Sequence, residues 1–252
     1  TQPRAPRGAL AGALALAGIL SASAVRAGPP YVTDDPEPVE HRHWEVYLAT
    51  LPVHERDGWT STAPHIEVNY GALPGLQLHL IAPLTYSAPA HGGGAFGYGD
   101  TELGAKFRFL DEGKWTPMIG TFPLVEVPTG AQARGLGNGT AQVFVPFWLQ
   151  KSFGEWTTYG GWGVWLDAGN ADRHWWFFGW LVQRRFFDRW TVGAEIYHTT
   201  PEEHGADGDT RFNVGTTFDI TEDHHLLLSA GRSIAGDCLF QGYFAYQLTF
   251  GP

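Results

Sequence analysis

Residues 102–109 read ELGAKFRF. Successive Cβ atoms of an extended chain point to opposite faces. Leu103, Ala105, Phe107 and Phe109 therefore share one side, and Glu102, Gly104, Lys106 and Arg108 share the other. An apolar, partly aromatic face backed by a face with charges at mid-strand suits a wall between hydrocarbon and water. The pattern recurs. Pro64, Ile66, Val68 and Tyr70 oppose His65, Glu67 and Asn69, while Trp190, Val192, Ala194 and Ile196 oppose Thr191, Gly193, Glu195 and Tyr197. Phe212, Val214, Thr216 and Phe218 oppose Arg211, Asn213, Gly215, Thr217 and Asp219. The last such run sets Phe240, Phe244, Tyr246, Leu248 and Phe250 against Gln241, Tyr243, Gln247 and Thr249.

Twelve strand-like segments are expected, at 43–55, 61–72, 75–87, 100–110, 115–128, 139–152, 155–167, 174–187, 190–200, 209–220, 224–233 and 239–250. The connections alternate in size. Short turns fall at Pro74-Gly75, Asp111–Lys114, Gly154, Asp188-Arg189 and Thr221–Asp223. Longer loops rich in Gly and Asp fall at 86–98, 129–139, 168–173 and 200–208, with tight exceptions near Asp57-Gly58 and Gly236-Asp237. Short turns at one end, longer loops at the other and an even strand count predict an all-β fold: a transmembrane antiparallel β-barrel of about 12 strands, outer-membrane type. The run 174–187, HWWFFGWLVQRRFF, is apolar on both faces over half its length and leaves its inward face open.

A soluble barrel could carry the same alternation with its charges outside. Composition decides against it. The 252 residues include 11 Trp, 16 Phe and 9 Tyr, more rings than a soluble surface gains from exposing. A membrane wall uses them as girdles, and Trp44, Trp115, Trp156 and Trp190 stand beside short turns or the barrel entrance. The formal charge of −10 argues against nucleic acid as a partner. The single cysteine, Cys238, excludes a disulfide framework.

Arg4 and Arg7 precede the apolar run GALAGALALAGILSASAV at 8–25, and Val25-Arg26-Ala27 offers small residues for cleavage. Residues 1–27 are expected to be a signal peptide. Secretion without paired cysteines points to a periplasm or outer membrane, and the barrel pattern makes the cell outer membrane the expected location. Residues 28–42, rich in proline and acids, are expected to form an extended, exposed periplasmic segment before a barrel spanning 43–250. His41 and His43 lack a completing pattern, so no metal site is expected.

The inward charges define the candidate lumen lining: Glu45, Glu67, Glu102, Lys106, Arg108, Glu126, Glu195 and Arg211. Eight strands make an interior that side chains fill and sixteen an open channel, so twelve allow a narrow pore or a blocked lumen. Crowded carboxylates repel, and the Lys106–Arg108 strand is expected to pair with the glutamates. The charges either tie the wall together or select solutes. Inward Gly104, Gly193 and Gly215 either relieve crowding in a tilted wall or leave room for a solute. A lipid hydrolase would need a serine and a histidine in reach. Ser61, Ser229, His65, His79 and His198 are available, but none sits in a GxSxG-type motif. HGGGAFGYGD lacks the phosphate-loop frame and reads as an outer loop. No enzyme activity, catalytic residue or cofactor is expected.

Five stretches carry a family resemblance: PPYVTDDPEPVEHRHWEVYLA, GYGDTELGAKFRFL, FPLVEVPTG, GNGTAQVFVPFWLQKSFGEWTTYGG, and the ending HHLLLSAGR with YFAYQLTF. In these the chain resembles a bacterial outer-membrane transporter family associated with the meta-pathway of phenol degradation. The resemblance covers nearly all of residues 28–250. It implies a porin-like barrel without cofactor, embedded in outer-membrane lipid, inserted by the barrel-assembly machinery and passing a small solute. It leaves the oligomeric state open. Asp100, Glu102, Lys106, Arg108 and Glu126 with Pro128-Thr129-Gly130 match recurring residues of that family. Phe250 followed by Gly251-Pro252 departs from the usual aromatic ending. The expected function is passive passage of small solutes, with small organic or aromatic compounds as candidates. The alternatives are a structural or interaction barrel with a blocked lumen, or an outer-membrane lipid hydrolase.

Overall fold

The computed structural model describes residues 28–169, 174–202 and 205–252. The signal-peptide expectation for 1–27 lies outside them. The described chain is almost entirely strand: β1 (Trp44–Glu55), β2 (Gly58–Leu73), β3 (Leu76–Pro89), β4 (Ala95–Tyr98), β5 (Thr101–Leu110), β6 (Met118–Thr121), β7 (Leu124–Val127), β8 (Gln142–Phe153), β9 (Trp156–Asp167), β10 (His174–Phe186), β11 (Trp190–Thr199), β12 (Asp209–Asp219), β13 (His224–Ala235) and β14 (Cys238–Phe250). One 3₁₀ turn, Gln132–Arg134, sits in the β7–β8 connection.

All the strand pairs are antiparallel. β3 pairs with β4 through Leu84↔Tyr98 and with β5 through Leu78↔Ala105. β8 likewise pairs with β6 through Met118↔Gln150 and with β7 through Leu124↔Phe144. β4 and β5 are thus halves of one stave, as are β6 and β7, and the fourteen segments make a twelve-stave barrel. The β1–β14 pair, running from Trp44↔Phe250 to Glu55↔Cys238, closes it.

The outer wall is apolar. Leu48, Ile66, Phe107, Trp162, Trp180, Ile196, Val214 and Phe244 are all exposed, and they belong to staves all around the barrel. A soluble monomer rarely exposes so continuous an apolar surface. No helix of the described residues is long and apolar enough to cross a membrane, which says nothing of a β-barrel, whose strands would do the crossing. At the short-turn end Trp44 stacks on Tyr70 at 4.3 Å, and Trp190 meets Phe218 edge-on at 5.2 Å, as a girdle would. The open question in β10 is resolved. Trp176, Phe178, Trp180 and Val182 face out, while Trp175, Phe177, Leu181 and Gln183 face in.

Two expectations need correction. The Gly-rich stretch 86–98 is mostly strand. β3 continues to Pro89 and Ala95–Tyr98 pairs back on Leu84–Ser87, leaving only 90–94 as connection. The segment before β1, expected to be exposed, is buried inside the barrel. Thr33 and Asp35 are fully buried and Val39 nearly so. In a membrane barrel the polar medium is the lumen, so a proline- and acid-rich strap finds its solvent-like surroundings inside.

Candidate functional site

The strap, residues 28–43, crosses the lumen and is held from both sides. On the β11–β13 side, Glu195 accepts the Val32 N–H at 2.9 Å and the Thr33 N–H at 2.7 Å, one on each carboxylate oxygen. The Ser229 hydroxyl donates to the Pro30 carbonyl at 2.6 Å. The glycines explain themselves here. A Cβ on Gly193 would lie 2.7 Å from the Tyr31 hydroxyl, one on Gly215 would lie 2.9 Å from its ring, and one on Gly179 would strike Thr33. Gly193 and Gly215 therefore make room for the strap.

On the opposite side Lys106 donates to Asp34 at 2.9 Å and approaches Asp35 at 3.4 Å. This corrects the expected pairing of Lys106 with glutamates. Gln77 accepts the Val39 N–H at 2.9 Å, and Gln150 donates to Glu37 at 3.0 Å. Burial pushes the Asp35 carboxyl above its usual range, with Lys106 opposing that, and burial also raises Glu37.

The inward glutamates are spaced mainly by amides. Asn69 donates to Glu67 at 2.8 Å and accepts from Gln77 at 2.9 Å. The His79 ring bridges Asn69 at 2.6 Å and Glu102 at 2.7 Å. Across the lumen, Asn213 donates to Glu195 at 2.6 Å, Gln241 donates to Asn213 at 2.7 Å, and the Tyr197 hydroxyl donates to Gln241 at 2.6 Å. Arg211 ties this chain to Glu55 at 2.8 Å and to Asp209. Glu45 accepts the Tyr47 hydroxyl at 2.7 Å.

The remaining sequence candidates serve the ends. Arg108 pairs with Asp111 at 2.8 Å near the short turn. Glu126 accepts from Asn138 at 2.7 Å in the β7–β8 loop, which Asp100 holds through the Gly130 N–H at 2.8 Å and the Asn138 N–H. The eight candidates thus fall into two strap-facing networks, two rim contacts and the separate Glu45–Tyr47 pair rather than one ring. Sequence reasoning missed the amides Asn69, Gln77, Asn213 and Gln241 as members of the networks, although their place on the charged face of each strand marks them.

Between the networks the lumen is aromatic. Phe122, Phe144, Trp148, Phe177 and Tyr197 are buried together, with Leu124 and Trp165 against them. Phe122 precedes Pro123 at the break between β6 and β7 and turns into the lumen, where it meets His79 edge-on at 5.1 Å. At the short-turn end a vestibule of about 860 Å³ runs from Arg185, Asp188, Arg189 and Glu222 to Glu45, Glu67, Lys106, Glu37 and Phe122. The serine and histidine candidates are engaged elsewhere: Ser229 on Pro30, His79 between Asn69 and Glu102, His65 on Thr62, His198 on Thr210. Among the described residues no group of three or more His, Cys, Asp or Glu could hold a metal.

A closed twelve-stave antiparallel barrel with an apolar outer wall and a polar, strap-filled lumen defines a β-barrel of outer-membrane type. Solved structures share this fold. The chain is similar to an outer membrane channel from Pseudomonas putida F1, with TM-score 0.67 and 16% identity over 89% of this chain and 100% of that one. It is similar to the KdgM porin, with TM-score 0.56 and 11% identity over 82% and 99%. It is also similar to the β domain of the Bordetella autotransporter BrkA, with TM-score 0.54 and 14% identity over 82% and 98%. No family model and no curated protein matches the sequence.

Proposed function

We propose that this protein is an outer-membrane channel for passive passage of small solutes, narrowed by its own N-terminal strap, with small organic or aromatic compounds as its solute class. One observation carries the reading. The vestibule of about 860 Å³ leads from the short-turn end to a face bearing Glu45, Glu67 and Lys106 and stops at Phe122, the first ring of the aromatic cluster. A wall of paired charges and amides admits water and ions, while stacked rings offer faces to a flat apolar solute. The fold supports the channel, since similar barrels include an outer membrane channel and a porin.

Single-channel conductance of the refolded chain in planar bilayers, with a salt gradient to read selectivity, tests this. Steady conductance with cation preference is expected, and Glu45→Gln and Glu67→Gln should reduce that preference. Blockade by phenol but not by glycerol would support the solute class. A folded, heat-modifiable barrel without conductance would favour a second reading, a structural or interaction barrel whose strap closes the lumen. The burial of Thr33 and Asp35 favours that reading.

A further inference from the structure

Arg184 and Arg185 are consecutive on β10 and point to opposite faces of the wall. Arg185 faces the vestibule and pairs with Asp219 at 3.6 Å. Arg184 faces out, in one column with Trp176, Phe178, Trp180, Val182 and Phe186. Its guanidinium carbon lies 5.4 Å from the Trp156 ring centroid and 4.8 Å from that of Phe186. Its Nε is buried, and no acceptor among the described residues pairs with the side chain. The wall around it is apolar. Arg184 faces Trp156 on β9 and Val192 on β11, and Trp156 in turn faces Phe153 on β8. Nearer the turn, Phe186 faces Trp190. Phe153, Trp156, Phe186, Trp190 and Val192 are all exposed on the outer surface.

The ring faces attract the cation and fix its position, but they leave its N–H donors without acceptors. A charge on a lipid-facing wall is costly unless it meets water or an anion. The other outward cation at this end takes its anion from the chain: Lys151 donates to Glu112 and to the Gly113 carbonyl, each at 2.7 Å. Arg184 has no such anion. The short-turn end is the periplasmic end of barrels of this type, and rings such as Trp156 and Trp190 mark the level of the lipid headgroups. The anion carried at that level is the phosphodiester. A guanidinium matches two phosphate oxygens with a planar fork, and rings beside the fork exclude the water that would weaken the pair. Arg184 is only half-buried, so part of its surface stays open on the lipid side.

We propose that Arg184, framed by Trp156 and Phe186, binds the phosphodiester of a phospholipid in the periplasmic leaflet and holds that lipid against the β9–β10 wall. The site is on the outside of the barrel and does not depend on whether the lumen conducts. Native mass spectrometry of the full chain, refolded in detergent micelles and titrated with phosphatidylglycerol, tests it. A single tightly held lipid is expected. Arg184→Gln should weaken its binding about fivefold. Arg184→Lys keeps the charge and loses the fork, so it should weaken binding about twofold, and it keeps the measurement open if the glutamine variant misfolds. Arg189→Gln removes a cation from the same end, where Arg189 lines the vestibule instead, and should leave lipid binding unchanged. Dioleoylglycerol has the acyl chains without the phosphate and should not compete. Unchanged affinity in both Arg184 variants, an equal loss in Arg189→Gln, or competition by dioleoylglycerol would overturn the proposal. Displacement of the lipid by inorganic phosphate would also overturn it, by assigning the site to a free anion.

Discussion

The two sides of the barrel that hold the strap do so by different physics. β11, β12 and β13 are unbroken staves, and they hold the strap by directed hydrogen bonds to its backbone: Glu195 to two successive N–H groups, Ser229 to a carbonyl. The opposite side is built from the interrupted staves β4–β5 and β6–β7, and it holds the strap mainly by charge through Lys106. The interruption has a local cause. Pro123 has no N–H to give the ladder, yet its carbonyl accepts the Ala105 N–H at 3.1 Å, so pairing resumes in β7. The break frees Phe122 to turn inward, and Lys106 lies 5.0 Å from its ring centroid. A regular wall can therefore grip a backbone with glycine space and a carboxylate. A broken wall places a ring and a cation instead.

The largest effect should come from the regular side. Glu195→Ala leaves the Val32 and Thr33 amides and Asn213 without their acceptor, and breaking a buried charged network of this kind costs about 3–5 kcal/mol. Urea unfolding in lipid should show that loss, and release of the strap should raise single-channel conductance severalfold. A loss below about 1 kcal/mol with unchanged conductance would mean that Glu195 does not hold the strap. Lys106→Met should cost less, about 2–3 kcal/mol, because the Asp34 side chain is 20% exposed and keeps part of its hydration. Adding Asp34→Asn and Asp35→Asn to Lys106→Met should recover most of that loss. Additive losses in the cycle would instead show that charge is not what the broken side contributes.

The same contrast decides what the sequence reveals. In β11, β12 and β14 each residue's face is readable, because strict alternation meets lipid on one side and a polar lumen on the other. Alternation puts Glu195 and Asn213 on the same inner face, and the structure pairs them directly. The stave interruptions are harder: at Phe122-Pro123 two short pieces of strand with a proline between them look like one strand, and before Gly99-Asp100 the glycine-rich piece looks like loop. The strap is hardest. Proline and acids normally mark an exposed segment, and that inference assumes the water lies outside. In a lipid-embedded barrel the inside is the polar side, so the Asp34-Asp35 pair is a cue for a luminal partner such as Lys106. The face of β10 was illegible because its inner residues pack on an aromatic cluster assembled from β8, β11 and the Phe122 break, elements distant in sequence.

On the broken side, Gly104→Ala tests whether the inward ring needs its space. The added Cβ would lie 2.5 Å from a Leu124 methyl and 2.9 Å from the Phe122 ring. Both are side-chain ends that can give, so overpacking should cost about 1–2 kcal/mol. The displaced Phe122 should also change the conductance, whereas a purely structural glycine would alter stability alone.

The smallest effect is expected at the long-loop end, where the interrupted stave meets the β7–β8 loop. Asp100 occupies the gap between β4 and β5, and its carboxylate accepts N–H groups from Gly130 and Asn138. Leu136 is carried by the same loop and is 2% exposed, so the latch folds the loop onto the barrel. Asp100→Asn exchanges a charged acceptor for an amide that can meet only one of those N–H groups through its oxygen. The expected loss is about 1 kcal/mol, enough to open the loop locally without unfolding staves. Limited proteolysis should then nick within 128–141 several times faster than in the wild type while urea midpoints barely move. Equal nicking rates would mean that Leu136, rather than Asp100, holds the loop, and Leu136→Ser would become the variant that separates the broken side from the regular one.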